Sequence, residues 1–196
     1  MRRQKSTVER KFQTAEKEGN GQKSGCSAVD LLYGILPVLG ALQHRRRRLD
    51  RLYLKKDADS SERLRDIRYI AEKIKLPLSE VPVTKLTKMC PNAVHQGVIL
   101  RCGFLPFSSW NDLPQSEEGP YPLIVALDQI EDPHNLGAIL RTCGFFDVRA
   151  VVVPQDHTSE LTPTVSKSSA GVLEWFTGIS VTNLARLLQE QKSKGL

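Results

Sequence analysis

The chain has 196 residues, of which 40% are hydrophobic and 26% charged, a balance that suits a soluble globular protein of one medium or two small domains. Its longest apolar run, Leu31 to Leu42, is broken by Gly34, Pro37 and Gly40 and falls short of the roughly 18–20 residues that span a bilayer. The formal net charge of +6 is unevenly placed: residues 1–56 hold 14 Lys/Arg against 5 Asp/Glu, a net of +9, while residues 57–196 hold 14 against 17, a net of −3. Diffuse attraction to a polyanion should therefore begin in the first 56 residues. The four cysteines (Cys26, Cys90, Cys102 and Cys143) form no CxxC pair and the four histidines are scattered, which suggests no metal site and a reducing compartment.

Residues 1–28 are polar, with repeated Gly, Ser and Lys, and read as a disordered basic arm. This arm contains Glu9, Glu16 and Glu18, so it permits a mitochondrial transit peptide without indicating one, and it lacks the apolar segment of a secretory signal. From Val29 to Phe107 short strands and helices alternate, the pattern of a small α/β sandwich. Pro37 is expected to open a helix as its first residue, and that helix should run into Arg45-Arg46-Arg47-Arg48 at its C-terminus. Leu49 to Lys56 reads as a strand with Leu52 and Leu54 on one face. Asp59 with Glu62 resembles a capping box ahead of the helical spacing of Leu64, Ile67, Ile70, Ala71 and Ile74. Val81-Pro82-Val83 and His95 to Phe104 are read as two further strands.

Residues 108–120 are rich in turn formers and read as a linker. The pattern then changes. Leu123 to Leu127 and Arg149 to Val153 are continuous apolar runs, expected to be buried parallel strands. The loop Asp128 to His134 and a helix from Leu136 to Cys143 join them in a βαβ unit, with Asn135 as the expected N-cap. Thr162-Pro163 should begin another helix, and a last one, capped by Thr182, carries Leu184, Leu187 and Leu188. Two strands make an incomplete doubly wound sheet.

Two constellations in this second half carry chemistry. Ligands of open α/β sheets gather at strand-to-helix loops, and here Asn135, Gly137 and Arg141 follow the first apolar strand. Arg141 lies one helical turn beyond Gly137, an arrangement that leaves space for something flat or anionic. The second is Ser166-Lys167-Ser168-Ser169-Ala170-Gly171-Val172-Leu173-Glu174. Its Glu174 sits in an apolar stretch and needs a cationic partner if buried, for which Arg141 is the most attractive candidate in this domain. The bland alternative is an exposed position on an edge strand.

Asp132 to Arg141, with its N-x-G-x-x-x-R core, resembles the first signature motif of the SpoU methyltransferases, and Ser166 to Glu174 resembles the second. Val94-His95-Gln96-Gly97-Val98 is similar to the H-Q-G-V/I strand of the RNA-binding domain that precedes many of their catalytic domains. The resemblance covers residues 29–178 and is best to mitochondrial and bacterial enzymes that methylate guanosine ribose in large-subunit rRNA. It implies a small L30-like α/β RNA-binding domain (29–107), followed by the N-terminal part of an α/β-knot, or SPOUT, methyltransferase domain (121–196). By the same resemblance, Asn135 and Arg141 lie at the acceptor ribose, Glu174 helps organise the arginine, and S-adenosylmethionine is the methyl donor. RNA contacts are assigned to Arg45, Arg46, Arg47, Arg48, His95 and Gln96. The family's G-N-E-G loop and L-N-x-S-x-A helix, which make most of the cofactor pocket, do not occur here. The resemblance therefore implies a member cut short before its knot, inactive as it stands and uncertain to form the family's homodimer. A mitochondrial setting is implied, with a cytoplasmic one as the alternative. Two other functions compete: a non-catalytic RNA-binding module, and a ribose methyltransferase acting on tRNA.

Overall fold

The computed structural model describes residues 29–58, 61–113 and 123–194; the basic arm, Cys26, Asp59 and most of the linker lie outside them. The first domain is a four-stranded sheet of order β1-β4-β2-β3, built from β1 (Val29–Tyr33), β2 (Leu49–Lys55), β3 (Leu78–Val81) and β4 (Val98–Gly103). β4 runs antiparallel to both β1 and β2, and β3 lies parallel to β2. Helices α1 (Ile35–His44) and α2 (Glu62–Lys73) cover one face, where Leu32, Leu52, Leu54 and Leu100 meet Val38, Leu42, Leu64 and Ile67, all essentially fully buried. The other face packs Ile99 against Leu86 of α3 (Val83–Met89). The expected α/β sandwich is present, with helices on both sides.

Several local expectations shift, each for a reason in backbone chemistry. Pro37 is the third residue of α1, whose N-cap is Gly34; a proline there still withholds only an N–H that lacks an intrahelical acceptor. α1 ends where Arg45 turns left-handed (φ 50), so Arg46 to Arg48 leave the helix. The N-cap of α2 is Ser61, without a side-chain cap bond. Pro82 ends β3 and caps α3 rather than centring a strand, because it cannot donate to the ladder. β4 starts only at Val98, because Gln96 (φ 54) and Gly97 (φ 84) turn the chain just before it.

The second domain is a three-stranded parallel sheet of order β5-β6-β7: β5 (Ile124–Ala126), β6 (Ala150–Pro154) and β7 (Gly178–Val181). β6 is central and buried on both faces. Val151 and Val153 meet α4 (Pro133–Phe145) and α5 (Pro163–Ser168), while Ala150 and Val152 meet α6 (Leu184–Ser193). This is a doubly wound arrangement with one strand more than the two expected. β7 had no apolar run to announce it. β5 is not buried as its sequence suggested: it is an edge strand, with Ala126 and the preceding Leu123 exposed. The linker begins by joining the sheet, since Ser108 exchanges backbone hydrogen bonds with Gly178 and Ser180 (2.9 and 3.1 Å) before a 3-10 turn at Trp110–Asp112. Asn183, not Thr182, caps α6. Among the described residues no helix is long and apolar enough to cross a membrane.

The two domains meet at close range. Gly171 adopts φ 84, and a Cβ placed on it would lie 2.6 Å from the carbonyl oxygen of Leu36 in α1. A Cβ on Gly40 of the same helix would lie 3.1 Å from the carbonyl oxygen of Gly171. Backbone therefore touches backbone across the junction. Gly171→Ala should destabilise the protein by about 1–3 kcal/mol, since it combines a left-handed strain with a backbone clash. Urea unfolding checks this, and parental stability would mean the junction is not packed as described.

Candidate functional site

The junction holds a buried ionic cluster. Glu174, 1% exposed, lies in a 3-10 turn (Val172–Glu174) that follows α5. Its carboxylate accepts two hydrogen bonds from Arg47, Nε at 2.8 Å and Nη2 at 3.1 Å, and a third from Ser166 Oγ at 2.7 Å. Arg47, 3% exposed, also donates through Nη1 to Asp30 of β1 (2.7 Å) and to the carbonyl of Gly103 (3.2 Å). Arg46 donates to the carbonyl oxygens of Leu173 and Phe176. Burial disfavours the Arg47 cation, but the hydrogen bonds and charge of Glu174 outweigh it and hold its pKa above the ordinary value. Arg46 shifts the other way, lowered by burial in spite of Glu174. Nearby Cys102, fully buried, has its thiol pushed up to about 12 by burial, which leaves it inert as a nucleophile.

This geometry corrects two expectations. Glu174 is buried and paired, as a carboxylate in an apolar stretch should be, but its partner is Arg47 of the other domain rather than Arg141. The run Arg45 to Arg48 is not a uniform cationic face either. Arg45 and Arg48 point outward, whereas Arg47 is buried and Arg46 half-buried in the junction, so neither of those two is free for a phosphate. The signal for this was present in Val29-Asp30-Leu31-Leu32-Tyr33: Asp30, like Glu174, is an acid among apolar residues, and two such acids call for a buried cation.

The first motif forms the start of α4. Asp132, not Asn135, is its N-cap, with Oδ1 accepting from the His134 N–H at 2.9 Å, and Pro133 is the first helical residue. Asn135 lies exposed in the first turn and Arg141 exposed two turns later. Gly137 is buried, and a Cβ on it would sit 1.8 Å from Ser168 Oγ and 2.9 Å from the Val165 carbonyl. The space at that glycine is thus taken by α5 and not by a ligand. Ser168 is held against α4 with its hydroxyl 2.9 Å from the Thr164 carbonyl and 3.2 Å from that of Pro133. Beside this contact Arg141, Ala138, Thr142, Phe145 and Ser168 line an open cavity of about 390 Å³. Arg141 and Ser168, from the two motifs, thereby come together, while Glu174 is turned away to Arg47.

The third motif lies at the same junction. Gln96 Oε1 accepts from the backbone N–H of Ile35 (3.1 Å) and from Lys167 Nζ of the second motif (2.9 Å). Partial burial lowers the Lys167 pKa. His95 is tied into its own turn: Nδ1 accepts from the Gly97 N–H at 3.1 Å, and Nε2 is 3.3 Å from Thr87 Oγ1. Burial lowers its pKa, so the ring is neutral at physiological pH and braces the loop instead of offering charge. No cluster able to hold a metal ion occurs among the described residues.

Two α/β domains joined by a buried cross-domain ion pair, with the motif helices on one side of a parallel sheet, define the class. Residues 122–196 match the SpoU rRNA Methylase family, and residues 31–107 match the family of RNA 2'-O ribose methyltransferase substrate binding domains. The chain is 35% identical over 175 residues to the 23S rRNA (guanosine-2'-O-)-methyltransferase RlmB of Pseudomonas putida, covering 87% of this chain and 68% of that protein. It is 36% identical over 172 residues to the mitochondrial rRNA methyltransferase 1 of Homo sapiens, covering 86% of this chain and 49% of that one. Among solved structures, an RNA 2'-O ribose methyltransferase superposes with a TM-score of 0.66 at 23% identity, over 87% of this chain and 61% of its own. The SpoU methyltransferase AviRb of Streptomyces viridochromogenes, solved with AdoMet, gives 0.64 at 18%, over 84% and 61%. The chain belongs to the SpoU methyltransferase family. It spans about half to two thirds of the length of these relatives.

Gly137→Ala should cost about 1–3 kcal/mol by forcing α4 off α5. Combining it with Ser168→Gly should recover part of the loss, since the Val165 carbonyl still crowds the new methyl. A double-mutant cycle in urea measures this coupling, and additive costs would show that the two residues do not meet.

Proposed function

We propose that these two domains serve the transfer of a methyl group from S-adenosylmethionine to a ribose 2'-hydroxyl of RNA, with a guanosine of large-subunit rRNA as the acceptor. The observation that carries this reading is the open cavity where Arg141 of the first motif and Ser168 of the second meet, in a chain whose other domain matches the substrate-binding family of RNA ribose methyltransferases. The names of the bacterial and human relatives support rRNA as the substrate, and the human relative supports a mitochondrial setting. The cavity offers the Arg141 cation and the Phe145 ring, which suit a phosphate and a ribose face, together with the Thr142 and Ser168 hydroxyl oxygens, which can only accept because each already donates to a backbone carbonyl. It has no carboxylate for the ammonium group of S-adenosylmethionine, so the residues lining it fit the acceptor and not the donor.

The acceptor chemistry needs placement and charge. A 2'-hydroxyl must lose its proton to become a competent nucleophile, so negative charge gathers on oxygen as the proton leaves and disappears as the C–O bond forms. When bound, the sulfonium would supply the methyl group and leave as a neutral thioether, with no acid required. Arg141 remains protonated in a protein and cannot act as a base. It serves as a fixed cation that stabilises the nascent alkoxide, and a substrate phosphate or water takes the proton. Asn135, exposed in the first turn of the same helix but not among the residues lining this cavity, is assigned to the ribose only by its place in the family's first motif.

Methyl transfer to a large-subunit rRNA transcript, by this chain extended with the family's G-N-E-G loop and L-N-x-S-x-A helix, tests the reading. Label in an alkali-resistant dinucleotide is expected, and Arg141→Ala should lower turnover by about 10²–10³ with RNA affinity little changed. Label in a base, or in tRNA while rRNA stays unlabelled, would overturn the assignment. RNA affinity should also fall steeply with salt. Only Arg45 and Arg48 of the arginine run face solvent, so replacing both by Ala should flatten the log–log slope by about 1.4 to 1.8, at 0.7–0.9 per phosphate contact. An unchanged slope would place the phosphate contacts elsewhere.

A further inference from the structure

We propose that Arg47, a residue of the substrate-binding domain, is a positioning residue of the acceptor site, because it grips Glu174 and so fixes the second-motif turn on which the Arg141 helix rests. The inference rests on the proposed methyl transfer for its functional meaning, but its geometry stands independently. Arg47 reaches across 127 positions of sequence to bind both carboxylate oxygens of Glu174, and Ser166 closes the carboxylate from the other side. The segment held in this way is irregular, although Leu173 and Phe176 anchor it in the core. It passes through two left-handed residues, Ala170 (φ 54) and Gly171 (φ 84), between the short α5 and a single 3-10 turn. The same segment supports α4: Ser168 fills the site at Gly137, and a Cβ on Gly144 would lie 2.7 Å from Val172 and 3.2 Å from the Trp175 ring. Grip is therefore passed from Arg47 to Glu174, from the turn to α4, and from α4 to Arg141.

Two further contacts follow the same seam. Arg46 holds the carbonyls of Leu173 and Phe176, which closes the end of the turn. Trp175 lies against His44 at the end of α1, with ring centroids 6.4 Å apart. The first domain thus shapes the methylase motif as well as docking the substrate. A planar guanidinium matched to a carboxylate at two oxygens is a task that lysine cannot repeat.

The test uses the full chain with Arg47→Met, Arg47→Lys and Glu174→Gln, and reads amide hydrogen exchange by mass spectrometry. Exchange over residues 163–176 and 133–145 should rise at least about tenfold in Arg47→Met, while α2 of the first domain, which does not touch Arg47, stays within about twofold of the parent. Arg47→Lys should not restore protection, and Glu174→Gln, close to the parent in shape, should give the same footprint at smaller amplitude. In a Trp110→Phe background, the emission of Trp175 should shift to the red in Arg47→Met. If Arg47 merely braces its own domain, exchange will rise in β4 and α1 and not in 163–176, and that outcome overturns the proposal. In the methyl-transfer assay, kcat should fall about tenfold or more while KM for RNA stays within about threefold. A KM effect alone would also overturn it. If no methyl transfer is found, the exchange footprint still decides the role of Arg47, so the two readings fail separately.

Discussion

The rest of this structure depends on one buried guanidinium. Arg47 is buried and is bound by Glu174, Asp30 and the Gly103 carbonyl. A charge in that position is costly unless every donor is used, and removing one partner of such a pair leaves the other stranded. Its value here is geometric. Apolar contacts would hold the domains together in many slightly different ways, whereas a forked ion pair with fixed donors permits very few. The glycines at the junction then act as clearance, letting α1 approach the turn at Gly171 until backbone meets backbone.

That fixed junction explains how a short and irregular motif can be ordered. The second-motif segment has only one and a half turns of helix, two left-handed residues and a 3-10 turn, none of which is stable alone. Its order comes from both sides, from Ser168 wedged at Gly137 of α4 and from Glu174 clamped by Arg47. Arg141 projects from the face of α4 left open beside this contact. An exposed cation on a well-anchored helix suits the stabilisation of developing charge, because the helix does not have to reorganise when charge appears.

The same arrangement divides the arginine run between two purposes. Arg45 and Arg48 remain on the surface, whereas Arg46 and Arg47 turn inward and become structural. The division arises because Arg45 adopts a left-handed conformation that ends α1, after which successive side chains no longer share a helical face. Gln96 and Lys167 meet nearby, so the loop that resembles an RNA-binding motif touches the methylase motif directly. The two motif-bearing segments therefore meet in one seam between the domains.

The sequence alone determined the family and most of the regular elements, because these rest on local periodicity and on motifs contiguous in the chain. Leu52 and Leu54 on one face of β2 and Thr162-Pro163 opening α5 are settled within a few residues, whereas the local pattern left Glu174 open between a buried pair and an exposed edge. Tertiary structure decided what local pattern cannot express. β5 is as apolar as β6, but only its place in the sheet order makes it an edge. Gly137 beside Arg141 suggested a space for ligand, and the approach of α5 fills it with Ser168. Glu174 needed a cation, and Arg141 was the most attractive one within its own domain, but the domains dock so that Arg47 meets it instead. A buried charge announces its need in the sequence; which of several distant charges meets it depends on how the domains pack.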